Sequence, residues 1–216
     1  FRGDAHRALR GSETLIEIAG RNGSAFYLML GTIQRGWARA RLDGGDSGLA
    51  EFRQAMAKYF EHGNRFSAPL YEGLYAELEA ERQSADAALT RIDEASALAQ
   101  QTGERRIDVL LHRIRGDILC RVHPDDPAPA EQAYLAAIAV AQQQSARSFG
   151  LQAAFALAKL YQSTGRPVEA HDVLAPALEG FSPTPEMAEI AEGQALLAEL
   201  AEKVGATARR STAKLS

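Results

Sequence analysis

Apolar residues recur along this chain at helical intervals. Through Leu49, Phe52, Met56, Tyr59 and Phe60 the steps are 3, 4, 3 and 1, a stripe on one helix face and not the alternation of a strand. The same spacing predicts a first helix over Asp4 to Asn22, carrying Leu9, Leu15, Ile16 and Ile18, and a second over Phe26 to Leu42, carrying Leu30, Ile33 and Trp37. Asn22-Gly23, Gly44-Gly45, Gly63, Thr102-Gly103 and Gly165-Arg166-Pro167 break the pattern where turns are needed. Asp46 and Ser84 read as caps of the helices that follow them, and Pro69 suits an early helical position.

Further along, helices are expected over Arg106 to Val122, Ala130 to Gln144, Arg147 to Thr164 and Val168 to Leu178, the last shortened or kinked by Pro176. A closing helix runs from Glu186 to Val204 with Met187, Ile190, Leu196, Leu197 and Leu200 inward. Small residues add a longer period. Ala57, Ala95, Ala137 and Ala177 lie 38, 42 and 40 apart, each seven residues after Ala50, Ala88, Ala130 or Ala170. Seven residues is two turns, so each pair shares one helix face, while Ala38, Ala76, Gly116 and Ala158 upstream fall on another helix. Periods of this size mark stacked helical hairpins. The segment His123 to Pro129 holds three prolines and reads as a two-residue insertion within one turn.

The divisions that follow are one helical-repeat domain over 1–204: a partial repeat at 4–24, repeats at 25–63, 68–103, 104–145 and 146–180, and a capping helix at 183–204. Residues 205–216, small and polar, are expected to form a flexible tail. The chain begins at Phe1, and a piece of a larger protein is the expectation.

The residues of the repeat resemble the tetratricopeptide motif. In the fourth hairpin Leu157-Ala158, Tyr161, Gly165, Ala170 and Ala177 take its small and large positions. Trp37-Ala38, Gly45, Ala50 and Ala57 match it in the first, with Arg41 at the usual aromatic; Tyr75-Ala76, Ala88 and Ala95 match it in the second, with Glu79 at the aromatic and Gln83 at the turn glycine. Gly116, Ala130 and Ala137 match it in the third, where Leu119 takes the aromatic position. The resemblance implies an all-α, right-handed α-α superhelix of tetratricopeptide-like hairpins. The long period is similar to arrays attached to large bacterial signalling ATPases, maltose-regulator-like transcription activators and nucleotide-cyclase proteins, which implies a parent carrying such a module.

Composition narrows the partners. With 28 acidic and 24 basic residues the formal charge is −4, too balanced to gather nucleic acid or anionic membrane. A single cysteine, Cys120, excludes an intrachain disulfide and fits a reducing, cytoplasmic setting. Alanine dominates the apolar residues, which suits close helix packing.

Signals for catalysis are weak. His6, His62, His112, His123 and His171 lack the spacing of a helical zinc site. His62 suits a helix C-terminus, His112 a polar face, and His123 with Asp125 and Asp126 a capping loop in preference to a metal site. Glu77 with Glu81, and Glu189 with Glu192, read as solvated helix faces. Gly44-Gly45-Asp46 reads as a turn and not a cyclic-dinucleotide enzyme motif, and no phosphate loop or dinucleotide fingerprint occurs. No catalytic residue, metal or cofactor is expected of this chain.

Recognition is the expected function: a noncatalytic protein-interaction or sensor domain regulating a larger signalling or transcription protein. Its partner would be a protein, a peptide or another domain of the parent. Architectural homodimerisation is the alternative, and a helical enzyme the third reading. By the tetratricopeptide resemblance, Arg35, Arg39, Glu77, Arg113, Asp117, Phe155 and Lys159 are expected on exposed columns of the inner, partner-binding surface, with Arg39 and Phe155 as anchors.

Overall fold

The computed structural model describes residues 4–44, 46–82, 84–184 and 188–213. Gly45, Gln83, Pro185 to Met187 and the tail residues 214–216, on which some of the expectations fall, lie outside them. The described residues are helical almost throughout, and the chain forms two compact units, 1–104 and 105–216.

The first unit holds α1 (Ala5–Arg21), α2 (Ala25–Asp43), α3 (Asp46–Glu61), α4 (Ala68–Arg82) and α5 (Ala85–Thr102). Each helix packs on the next, and α2 also meets α4. Local chemistry sets the ends. The Asp4 carboxylate accepts from Arg7 N–H at 2.8 Å, and Ser84 Oγ accepts from Ala87 N–H at 3.2 Å, each satisfying an orphan donor of a first turn. Asp46 is the first residue of α3 itself and not its cap.

The second unit opens with a 3-10 turn, Arg105–Ile107, followed by α6 (Asp108–Val122), α7 (Ala128–Gln143), α8 (Arg147–Ser163), α9 (Pro167–Leu178) and α10 (Ala188–Ala213). Neighbours pack in order, with α6 on α8 and α8 on α10 in addition. Val109, Ala137, Ala141 and Ala153 join three of these helices in one small-residue core. Pro176 sits in the last turn of α9, which ends two residues later, as expected. α10 passes Gly205 and continues to Ala213, where a tail was expected. One helical glycine costs only about 1 kcal/mol, and the alanines and arginines after it are strong helix formers.

The repeat is present, but its register in the first hairpin differs from the alanine pattern. Ala50 and Ala57 are exposed, whereas Gly48 and Ala55, also seven apart, are buried. The close approach of α2 to α3 is made by glycine. A Cβ on Gly36 would lie 2.5 Å from Phe52 N, and one on Gly48 would lie 2.3 Å from Ala40 N. With this correction Gly36, Ala76, Gly116 and Ala158 recur at 40, 40 and 42 residues, and Gly48, Ala88, Ala130 and Ala170 at 40, 42 and 40. All eight are buried. The step of 42 changes place because the two extra residues lie between Gly116 and Ala130, in the α6–α7 connection, in agreement with the expected insertion. Phe52, Ile92, Tyr134 and Leu174 follow the second set at a constant offset and are likewise buried.

A third series marks the connections. Gly23, Gly63, Gly103 and Ser145, at intervals of 40, 40 and 42, all have left-handed backbone, with φ of 65°, 76°, 73° and 54°. At Gly23 the helix closes with Gly23 N–H to Gly20 O at 3.3 Å and Ser24 N–H to Ala19 O at 2.9 Å. Ser145 repeats that pair of bonds, to Gln142 O at 3.2 Å and, from Ala146, to Ala141 O at 2.9 Å. This is the Schellman closure, which favours glycine because a Cβ strains left-handed backbone.

Candidate functional site

The residues expected on one inner surface divide among separate local settings. On α2, Arg35 reaches across the hairpin to α3, with Nε at 2.8 Å and Nη2 at 2.5 Å from Glu51 Oε1. Arg39 Nη1 lies 3.1 Å from Glu51 Oε2. Both arginines therefore serve the α2–α3 contact. The register shift explains the misplacement: the residues 40 before Gly73 and Glu77 are Ile33 and Trp37, and both are buried.

Glu77 is buried at 9% exposure, not on an exposed column. It receives Arg41 from α2, which also holds Glu81 at 2.7 Å and lies 5.9 Å over the Trp37 ring. Burial pulls the Arg41 guanidinium down, and the two carboxylates outweigh it, so it is held above its ordinary value. Arg41 stays charged, and its planar fork suits two acids at once. Glu81, expected with Glu77 as a solvated pair, is thus part of an α2–α4 ion cluster.

In the second unit Arg113 and Asp117 are half-buried instead of standing on an exposed column, and they pair with each other one turn apart on α6. Asp117 Oδ1 also accepts from Tyr134 OH at 2.7 Å. Gly116 makes this possible, since a Cβ there would stand 2.5 Å from the Tyr134 ring. Burial first, and then the charge of Asp117 and the hydrogen bond to it, push the Tyr134 hydroxyl far above the usual phenol range. Cys120 Sγ lies 3.7 Å from the same hydroxyl, and burial raises its thiol. The thiol form is inert as a nucleophile.

Phe155 is also buried, at 8% exposure, contrary to its expected role as an exposed anchor. Lys159, one turn on, caps its ring at 4.0 Å. A purely sequence-based column cannot separate an outward aromatic from one turned into the helix contact. Nearby, Glu131 of α7 collects Tyr161 OH at 2.8 Å and Arg166 Nη1 at 2.6 Å. The Arg166 hydrogen bond lowers the Glu131 carboxyl against the opposing effect of burial, and Tyr161 lowers it further. Burial, then the hydrogen bond to Glu131, pushes Tyr161 up to about 12. These groups tie α7, α8 and the start of α9 together.

The histidines occupy ordinary positions. His62 Nδ1 lies 2.8 Å from Lys58 O at the end of α3, as expected of a helix C-terminus. His112 is half-buried instead of lying on an open polar face, and burial lowers it. Among the described residues no group of three His, Cys, Asp or Glu side chains stands together as a metal site requires, and no helix is long and apolar enough to cross a membrane.

One surface feature was not anticipated. Phe26, Tyr27 and Phe66 are 40%, 54% and 66% exposed around the buried Tyr59. Phe26 lies 5.4 Å from Tyr27 and 6.2 Å from Tyr59 between ring centroids, and Tyr59 OH donates to Phe66 O at 3.1 Å. Phe26 and Phe66 are 40 residues apart, each three residues after a left-handed glycine. The recurrence of Gly23-Ser24-Ala25-Phe26 as Gly63-Asn64-Arg65-Phe66 is the sequence signal for this edge. At roughly 200 Å² per ring, the exposed fractions of the three leave about 300 Å² of aromatic surface open in total.

Compared with known proteins, the chain matches no family model, and no curated protein is significantly similar to it.

Proposed function

We propose that this chain is a noncatalytic recognition domain, a right-handed superhelix of tetratricopeptide-like hairpins that regulates a larger signalling or transcription protein in the cytoplasm. The observation that carries the reading is the threefold recurrence of one frame at 40 to 42 residues: buried small residues on first helices, buried small residues on second helices, and left-handed closures between hairpins. Repeats of this kind present side chains at regular intervals to an elongated partner. The partner is a protein or peptide, another domain of the parent included.

Phe26, Tyr27 and Phe66 are better contact residues than Phe155, because their rings are open while Phe155 is spent on packing. Arg113, Asp117 and Lys159 remain the contacts proposed for an inner face. The test is partner capture from the cells that make the protein, with parent, Tyr27→Ser/Phe66→Ser and Arg113→Ala/Lys159→Ala forms compared at equal helicity and melting temperature. Loss of the same partner with the first variant supports the edge, and loss with the second supports the inner face. A partner retained by both variants rejects the assignment.

Homodimerisation rests on the same open edge as a second reading. A mass that rises with concentration for the parent, and stays monomeric for Tyr27→Ser/Phe66→Ser, would favour it.

A further inference from the structure

The first two hairpins are locked by ion clusters of opposite polarity whose central pairs stand at equivalent positions. In the first, the base is on the leading helix and the acid on the returning one: Arg35 and Arg39 of α2 hold Glu51 of α3. In the second, the acids lead: Glu72 and Glu79 of α4 hold Arg91 of α5, each at 3.0 Å. The central pair is equivalent residue for residue: Arg39 and Glu79 are 40 apart, as are Glu51 and Arg91, while Arg35 stands 40 before Tyr75 and Glu72 stands 40 after Thr32. The Tyr75 ring takes the Arg91 guanidinium at 4.6 Å, so even the third position changes from a cation to a group that receives one.

At the same offsets the later hairpins hold other chemistry, with Leu119 opposite Ala133 and Tyr161 opposite Val173. The geometry is therefore shared between repeats while the charge is not. Similar repeats carry a characteristic hazard, which is that a helix docks on the wrong equivalent partner during folding or exchanges between two molecules. If α5 docked on α2, Arg91 would join Arg35 and Arg39, three cations together. If α3 docked on α4, Glu51 would join Glu72 and Glu79, three carboxylates together. Each wrong pairing would also leave half-buried charges without their counterions, since Glu51 and Glu79 side chains are only 18% and 10% exposed.

We propose that these inverted clusters are a pairing code that makes each returning helix select its own leading helix and rejects the neighbouring repeat's. The mechanism is repulsion against the wrong partner added to attraction for the right one. It depends on the two hairpins alone and is independent of what the domain binds.

The test separates the code from the strength of the ion pairs. The triple variant Arg35→Glu/Arg39→Glu/Glu51→Arg keeps acid against base within the first hairpin but gives it the polarity of the second, erasing the distinction. Adding Glu72→Arg/Glu79→Arg/Arg91→Glu inverts the second hairpin as well and restores it. The 216-residue chain is unfolded in denaturant, refolded over a series of concentrations and separated by mass. The expected result is that the triple variant yields roughly tenfold more exchanged dimer and higher species than the parent, on the scale of a few half-exposed pairs, and that the sixfold variant returns to the parent's monomer yield. If triple and sixfold variants refold equally well, or fail equally, the clusters act only as bonds within each hairpin and the code is refuted.

Discussion

Ser145 occupies a place where the repeat otherwise has glycine, and replacing it should strengthen the second unit. Its φ of 54° is left-handed, and its two closing hydrogen bonds reproduce those at Gly23. Holding a residue with a Cβ in that conformation costs about 1–2 kcal/mol. Glycine relieves this but adds about 0.5–1 kcal/mol of unfolded-chain entropy. The net expectation for Ser145→Gly is a gain of about 0.5–1 kcal/mol, or roughly 1–4 °C in melting temperature for a protein of this size. The reverse exchange, Gly103→Ser, should cost a similar amount, because nothing lies within 4 Å of a Cβ there and only the φ of 73° is at stake. Thermal and urea unfolding followed by circular dichroism read both changes. A melting temperature for Ser145→Gly that is unchanged or lower, with Gly103→Ser neutral, would refute the argument that backbone handedness governs these closures.

Three further outcomes are expected. Gly36→Ala and Gly48→Ala should each lose about 1–3 kcal/mol in urea unfolding despite alanine's helix propensity, since the new Cβ meets backbone at 2.5 and 2.3 Å; Gly20→Ala, with nothing within 4 Å, should be neutral or stabilising. Glu131 is held below the ordinary carboxylate value by Arg166, so its contribution is full at neutral pH and lost as pH falls from about 4.5 through its lower folded value; Glu131→Gln should flatten that part of the acid-unfolding profile. Tyr161, pushed up to about 12, keeps its proton when folded, so stability should decline as pH rises from the unfolded value near 10 toward 12, and Tyr161→Phe should reduce that decline in alkaline melts.

Much of the helical organisation was readable because helix ends announce themselves. Gly63, Ser84, Thr102-Gly103 and Gly165-Arg166-Pro167 each act through local backbone chemistry, and the structure ends or starts helices beside them. The first hairpin departs from the alanine pattern for an equally physical reason. Burial at a helix crossing demands a small residue, not alanine, and there the crossing uses Gly36 and Gly48. The period of Gly23, Gly63 and Gly103 carried the true frame, at 40 and 40 residues. The candidate site was less legible. Glu77 and Phe155 lie on helices that were located correctly, but which flank of a helix faces a neighbour depends on crossing geometry that no single stripe encodes. Arg35 and Arg39 look like free surface charges until Glu51 is placed opposite them.

The connection from His123 to Pro127 lengthens the step between the flanking buried positions from 12 residues to 14, yet those positions keep their places. Such a segment is a length buffer: it absorbs insertion without passing displacement to the helices, because loop closure entropy grows only slowly with length. It is accordingly the natural splice point of the second unit, where a fluorophore or a foreign binding loop can be grafted while both flanking helices stay in register.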